Sequence, residues 1–134
     1  MDIVLDANCL LMSLSRKGRY FTVWKSLLEG RYTLCLTNDI LAEYEEIITM
    51  HVGASVADSV ISTIINLSNI RMLDIYYHFN LIKADPDDNK FVDCAIKANA
   101  KYIVTQDNHF NVLKDCQFPK VDIVDIDYFC KMLS

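Results

Sequence analysis

The chain has 134 residues, of which 52% are hydrophobic and 23% charged, so it can bury a core and is not a disordered tail. Its 18 acidic and 13 basic residues give a formal net charge of -5. This balance argues against a protein that holds nucleic acid by bulk electrostatics, because Lys and Arg drive phosphate binding. A phosphate-handling site stays open if bound metal ions reverse the sign of the charge locally.

Membrane and secreted proteins are also disfavoured. The longest uncharged run, residues 59–70, is too short for a membrane span of roughly 20 residues. The N-terminal residues lack the basic segment of a signal peptide. The five cysteines are widely spaced and form no CxxC pair, which favours reduced thiols that pack as small apolar side chains. We therefore expect a cytoplasmic protein with no membrane partner.

In the first half of the chain, short apolar runs alternate with helical periods. Strands are predicted at residues 3–5 and 32–37, and less distinctly at residues 70–75. Helices are predicted at residues 8–15, 20–29, 38–50 and 55–68. Asn38 is the expected N-cap of the third helix, and Gly53 marks a break after it. This half therefore alternates strands with helices.

The second half continues the alternation. A helix is predicted from Asp85 to about Asn99, followed by a strand at 102–105, a turn at 106–108 and a helical turn at 110–113. A strand at 121–124 and a helix at 128–133 end the pattern. Near-continuous apolar strands separated by helices predict an α/β fold with a parallel sheet covered on both faces. No linker or repeat interrupts the sequence, so we expect a single domain over residues 1–134.

Acidic residues follow the predicted strands. Asp6 comes directly after the first strand, and Asp107 comes two residues after the strand that ends at Thr105. Glu43 lies in the helix after the second strand, at the margin of its apolar stripe. Sites in parallel sheets form beyond the carboxyl ends of the strands. The sequence therefore predicts an acidic site at this edge.

Further acids lie around the helix that starts near residue 88. Asp85, Asp87 and Asp88 precede or open it, and Asp93 lies on it. Five residues separate Asp88 from Asp93, which is about 140° around a helix axis. The two carboxylates therefore share a face only if Asp88 lies at or before the first turn.

Each acid also has an ordinary structural explanation. Asp87 or Asp88 could cap a helix, Asp6 and Asp107 could occupy turns, and Asp93 could form an ion pair on its own helix. The combination favours a site for Mg²⁺ or Mn²⁺, which prefer carboxylate oxygens. The three histidines, one of them close to Asp107, have no zinc-type spacing.

Four segments carry a resemblance to a known family: VLDAN at 4–8, TNDILAEY at 37–44, DPDDNKFVDCA at 85–95 and YIVTQD at 102–107. In this order and spacing they resemble the PIN domain, specifically its bacterial toxin–antitoxin branch of VapC-like ribonucleases. The resemblance covers nearly the whole chain. It implies a three-layer α/β/α fold around a five-stranded parallel sheet. It also implies a ribonuclease site built from acidic residues that uses Mg²⁺ or Mn²⁺.

Position by position, the resemblance implies catalytic roles for four acids: Asp6, Glu43, Asp88 and Asp107. It implies metal binding by the same four together with Asp93. The cation would activate a water molecule for attack on a phosphodiester, and a second ion would stabilise the leaving oxygen. Products would carry a 5′-phosphate and a 3′-hydroxyl.

Neighbouring polar residues complete the implied site. Asn8 and Thr105 resemble the residues that orient the acids. In other branches of the family, the acid at the start of the predicted helix 85–99 falls nearer Asn89. An alignment shifted by one residue is therefore the alternative to Asp88. Gln106 stands where the family often has Gly.

Few residues in the sequence are candidates for contacts with a substrate or partner. Arg16, Lys17 and Arg19 form the only dense basic cluster, and Lys90 lies one turn from the acids. These four are candidate contacts for RNA phosphates, and a solvated loop is the alternative for the cluster. The resemblance implies an RNA substrate, a cognate antitoxin protein and a homodimer as partners.

Three other functions are alternatives to the nuclease. A receiver domain would need an adjacent acidic pair after the first strand, but Ala7 follows Asp6. A HAD-type phosphatase would need an aspartate at position 8, where Asn8 stands. A catalytically silent PIN-like module that acts through a protein or RNA partner is the more serious rival, and the retained acids favour activity over it.

Overall fold

The computed structural model describes residues 1–134, and a parallel sheet of five strands lies at its centre. The strands are β1 (Asp2–Leu5), β2 (Thr33–Leu36), β3 (Ile70–Met72), β4 (Tyr102–Val104) and β5 (Ile123–Val124). Their order in the sheet is β3-β2-β1-β4-β5. In register, Leu5 is paired with Val104, so β1 and β4 end side by side.

Helices cover both sides of this sheet. The α-helices are α1 (Ala7–Ser13), α2 (Phe21–Leu28), α3 (Asn38–Val52), α4 (Ala54–Asn66), α5 (Asn89–Ala98) and α6 (Ile126–Leu133). Two 3₁₀ helices span Pro86–Asp88 and Asn108–Asp115. The predicted three-layer α/β/α fold with a five-stranded parallel sheet is confirmed. No helix in the structure combines the length and the apolar character that a membrane span requires.

The central strand is buried on both faces. Residues 3–5 have no exposed surface, because strands flank β1 on both edges and helices cover the sheet. Burying one such aliphatic side chain contributes roughly 1.5–3 kcal/mol. Cys9, Cys35 and Cys94 belong to the same core of 32 residues and are free thiols. They pack there as small apolar side chains, as the sequence predicted.

Capping side chains shift two predicted helix starts. Thr37, not Asn38, caps α3: its Oγ1 accepts a hydrogen bond from the backbone N–H of Ile40 at 3.2 Å. α6 begins two residues before its predicted start at Tyr128, because Asp125 Oδ1 accepts from the Tyr128 N–H at 2.8 Å. Other good capping residues lie close to the start of each of these two helices, and the apolar periodicity alone does not show which of them is the cap.

The third strand is shorter than predicted, since β3 ends at Met72 and the residues from 73 to 85 form no regular element. We call residues 73–85 the crossover segment. Asn89 holds it in place with two hydrogen bonds of 2.8 Å, one from the Ile82 N–H to Oδ1 and one from Nδ2 to the Ile82 carbonyl. Asn89 and Ile82 are both buried. The two hydrogen bonds of the Asn89 amide therefore anchor a segment that has no neighbouring strand to bond with.

Removing that amide should destabilise the protein. Asn89→Ala leaves a buried N–H and a buried C=O of Ile82 without partners, and we expect the free energy of unfolding to fall by about 3 kcal/mol. Urea unfolding followed by circular dichroism measures this. Asn66→Ala is the matched control, because Asn66 bonds the Ser62 carbonyl at an exposed position. It should change stability by less than about 0.5 kcal/mol. Equal small effects of both changes would contradict the role of Asn89.

Candidate active site

The candidate site lies at the carboxyl edge of the two central strands. Asp6 follows β1 directly, and Thr105 and Asp107 follow β4. The Asp6 N–H donates to the Val104 carbonyl at 3.0 Å, which extends the sheet pairing by one step beyond the end of β1. Because the two strands end in register, residues that are about 100 positions apart in sequence become neighbours.

Thr105 ties the two acids together. Its hydroxyl donates to Asp6 Oδ2 at 2.7 Å, and the same oxygen accepts from the Asp107 N–H at 3.0 Å. Asp6 also caps α1, with Oδ1 accepting from the backbone N–H of Asn8 at 3.4 Å. The Asn8 side chain itself is exposed, so its contact with Asp6 is made through the main chain.

The Asp6 carboxyl is hard to ionise where it lies. Burial raises its pKa most, and the nearby charges of Glu43 and Asp107 raise it further. The hydrogen bonds from Thr105 and Asn8 lower the pKa but do not offset burial. The fold therefore holds a carboxylate whose negative charge the protein compensates only in part.

Asp88 reaches the same edge from a different element. Asp85 caps the 3₁₀ helix Pro86–Asp88 by accepting from the Asp87 N–H at 3.2 Å, so Asp88 precedes α5 rather than lying in it. Burial, and then the charges of Asp107 and Asp85, raise the pKa of Asp88 to about 6, against a hydrogen bond with His109 that lowers it. The next residue, Asn89, points instead at Ile82, so Asp88 is the residue of this pair that faces the other acids.

His109 lies between two of the carboxylates. Its Nδ1 is 3.3 Å from Asp107 Oδ1 and 3.4 Å from Asp88 Oδ2. Ligand atoms of Asp85, Asp88 and His109 all lie within 4.8 Å of one another. Neither His109 nor Asp85 is among the site residues that the resemblance implies. The spacing Asp107-Asn108-His109 was the only signal for this histidine, and it matches no zinc motif.

Glu43 contributes from the helix layer. Its Oε1 accepts from Lys90 Nζ at 2.7 Å, and about a quarter of each side chain is exposed. Burial lowers the pKa of Lys90, but the hydrogen bond and the charge of Glu43 outweigh burial and raise it. Glu43 is close enough for its charge to raise the pKa of Asp6. The pair therefore places one anion and one cation at the margin of the acidic group.

Asp93 is not brought together with the other acids. Its Oδ1 accepts from the Phe79 N–H and its Oδ2 lies beside His78 Nδ1, each at 3.1 Å. With Asp39 and His78 it lines a cavity of about 200 Å³ that none of Asp6, Asp88 and Asp107 borders. Both carboxylate oxygens of this buried residue thus contact the crossover segment, and its role as a metal ligand stays a prediction.

The basic cluster stands apart from the acids. Arg19 is paired with Asp127 of α6 at 2.8 Å, and its guanidinium lies 5.0 Å from the centre of the Tyr20 ring. Arg16 and Lys17 are exposed in the loop between α1 and α2 and form no ion pair. None of the three contacts a candidate ligand.

The donor set fits a hard divalent cation. Carboxylates from four separate chain segments, Asp6, Glu43, Asp88 and Asp107, supply oxygen donors of the kind that Mg²⁺ and Mn²⁺ bind. A bound cation would offset the burial and the repulsion by Asp107 and Asp85 that together raise the pKa of Asp88. The arrangement has no Ser-His-Asp or Cys-His contact that would activate a side-chain nucleophile.

Solved structures share this fold. A chain of VapBC2 from Rickettsia felis, crystallised with a DNA fragment from its promoter, aligns with a TM-score of 0.63 and 18% identity over 93% of this chain and 98% of that chain. VapC20 of Mycobacterium tuberculosis, a toxin that cleaves the sarcin-ricin loop, aligns with a TM-score of 0.60 and 12% identity over 81% and 92%. VapBC-1 from nontypeable Haemophilus influenzae aligns with a TM-score of 0.60 and 14% identity over 95% and 99%.

Sequence comparison supplies the family. No curated protein sequence matches the chain significantly. The sequence model of the PIN domain matches residues 2–109, which include every acid of the candidate site. The match covers most of the chain and the fold agrees with it, so this protein belongs to the PIN-domain family.

Proposed function

We propose that this protein is a ribonuclease that hydrolyses phosphodiester bonds with the help of bound Mg²⁺ or Mn²⁺. The observation that supports this most is the meeting of Asp6, Asp88 and Asp107 at one edge, with the pKa of Asp88 raised to about 6. Like charges held together in this way cost stability unless a cation compensates them. Membership of the PIN-domain family gives the same expectation of a nuclease.

Asp6, Glu43, Asp88 and Asp107 are the proposed ligands and catalytic residues. The cation would lower the pKa of a water molecule for attack and offset the negative charge of the phosphate. Thr105 keeps the Asp6 carboxylate in one orientation through its 2.7 Å hydrogen bond. Its 3.0 Å bond from the Asp107 N–H fixes the turn that carries the second acid.

Lys90 is the proposed contact for the substrate phosphate nearest the acids. Its ammonium is held 2.7 Å from Glu43 Oε1. Were Glu43 to hold a cation, the Lys90 ammonium would be free at the margin of the site to contact a phosphate. Arg16, Lys17 and Arg19 are proposed as more distant contacts. The exposed pair of Arg19 with Asp127 is worth at most about 1 kcal/mol, so it does not prevent such a contact.

A toxin role within a toxin–antitoxin pair is proposed from the relatives. The structures described above include two named as VapBC complexes and one named as a toxin. The corresponding partner of this chain would be a small antitoxin protein. Expression of the chain alone should stop growth of a bacterial host, and co-expression of a cognate antitoxin should restore it. Unimpeded growth with the active protein would count against the toxin role and leave the nuclease proposal standing.

Metal titration separates the nuclease from a catalytically silent binding module. Purified protein stripped with EDTA should not cut a generic single-stranded RNA, and Mn²⁺ or Mg²⁺ should restore cutting with a saturable dependence. A silent module would bind the RNA without producing fragments at any metal concentration.

Substitution of the proposed ligands should abolish cleavage. Asp6→Asn and Asp107→Asn each remove an anionic donor without changing side-chain volume, and we expect a loss of at least about 100-fold in Mn²⁺-dependent RNA cleavage. Gel-based cleavage assays measure this, with circular dichroism to show that each variant is folded. Asp58→Asn, at an exposed position on α4, is the matched control and should keep full activity. Full activity in both site variants would refute the proposed site.

Stability without metal should depend on Asp88. Its folded-state pKa of about 6 lies above the ordinary value of 3.8, so its contribution is complete below pH 3.8 and is lost as the pH rises through 6. Asp88→Asn cannot ionise. In EDTA it should therefore raise Tm at pH 7 by a few degrees and reduce the fall in Tm between pH 4 and 6.

Added Mn²⁺ should stabilise the wild-type protein more than the Asp88→Asn variant. It should raise Tm of the wild-type protein and of the Asp58→Asn control by similar amounts, and that of Asp88→Asn by less. Differential scanning fluorimetry measures all three proteins. An equal Mn²⁺-induced rise in wild type and Asp88→Asn would show that Asp88 is not a ligand.

A further inference from the structure

A second polar cavity adjoins the candidate site on the side away from Glu43. Its volume is about 370 Å³, and Thr105 and Asp107 form part of its wall. Its other polar walls are Gln106, Asn108, Asn111, Lys114 and Asp125. The cavity therefore begins at one of the proposed ligands and extends along the neighbouring 3₁₀ helix and β5.

The 3₁₀ helix arranges part of this lining in a row. With three residues per turn, Asn108, Asn111 and Lys114 of the helix Asn108–Asp115 lie above one another. Phe110 and Leu113 lie on another face and are buried in the core. Successive members of the row are about 6 Å apart along the helix axis. This spacing suits contacts with successive chemical groups of one extended strand.

The side chains of this row have no partner within the protein. The amides of Asn108 and Asn111 make no hydrogen bond, and Lys114 forms no ion pair. This distinguishes Lys114 from Arg19 and Lys90, each of which is held by an acid. Lys114 is thus an unpaired cation that borders a cavity shared with Asp107.

Two other side chains of the cavity wall, Gln106 and Asp125, are held by hydrogen bonds to the start of α6. Gln106 Oε1 accepts from the Ile126 N–H at 3.0 Å, which anchors its amide at the start of α6 and leaves its NH₂ group without a partner. Asp125 Oδ1 accepts from the Tyr128 N–H at 2.8 Å, so this anion is occupied in capping the same helix. The cavity consequently presents three amides and one ammonium, together with the carboxylates of Asp107 and Asp125.

We propose that this cavity binds a nucleotide of single-stranded RNA next to the bond that is cut. Lys114 contacts a backbone phosphate, and Gln106, Asn108 and Asn111 contact the edge of an unstacked base. Amides both donate and accept, as do base edges, and single-stranded RNA is recognised through such exposed edges. The proposal rests on the ribonuclease function above and adds a determinant of which sites are cut.

Steady-state cleavage of a short single-stranded RNA with Mn²⁺ tests the phosphate contact. Lys114→Ala should raise KM by about tenfold with kcat changed less than about threefold, because the ammonium binds substrate away from the reacting atoms. The slope of log KM against log salt should fall by about 0.7, the value for one phosphate on a single strand. Lys114→Arg should restore KM. Lys25→Ala, at an exposed unpaired lysine on α2, is the control and should match the wild type.

Sequencing of fragments from a randomised RNA tests the base contacts. Gln106→Ala and Asn111→Ala should flatten the base preference at the position beside the cut. Thermal melts identify any unfolded variant, and Asn108→Ala provides a third member of the row if one fails to fold.

The two proposals fail in different ways. Wild-type KM, salt slope and base preference in the folded variants would overturn this inference while the ribonuclease function stands. A wild-type protein that neither binds nor cuts RNA would overturn both.

Discussion

The parallel pairing of β1 with β4 is the constraint on which the candidate site depends. It places the end of one strand beside the end of the other, so that Thr105 can donate to Asp6 and accept from the N–H of Asp107. One hydroxyl thereby links two acids that are far apart in sequence. The core that holds the two strands together is apolar and fully buried. Hydrophobic burial thus keeps like charges close together, against their mutual repulsion.

The protein already offers two nitrogen-bearing side chains to this acidic edge. Lys90 is bonded to Glu43, and the His109 ring lies between Asp107 and Asp88. Neither compensates the site fully, since the pKa of Asp88 stays raised to about 6. Both side chains are partly exposed and reach the acids through rotatable bonds, so they can leave without disturbing the core. A site of this kind can exchange these two side chains for metal ions at little structural cost.

Periodicity predicts the fold well because nearly every element buries a regular apolar face. The order of strands and helices, the parallel sheet and the positions of Asp6 and Asp107 follow from it. Periodicity does not predict contacts between segments that are distant in sequence. The double hydrogen bond of Asn89 to Ile82 and the use of Asp93 by the crossover segment depend on a non-repetitive path that no local pattern encodes. The approach of His109 to Asp88 depends on how two 3₁₀ helices are placed relative to each other. The second of these helices, Asn108–Asp115, is longer than the helical turn predicted at 110–113.

The start of α5 has a consequence for how this sequence can vary. Three consecutive residues serve three different elements: Asp88 faces His109, Asn89 holds Ile82, and Lys90 bonds Glu43. Each step along a helix turns the chain by about 100°. Inserting or deleting a single residue here would therefore misdirect a carboxylate, a structural amide and an ammonium at once. A substitution at one of these positions removes one contact, whereas a change in length disturbs all three, so the length of this stretch is constrained by the sheet edge and the crossover segment together.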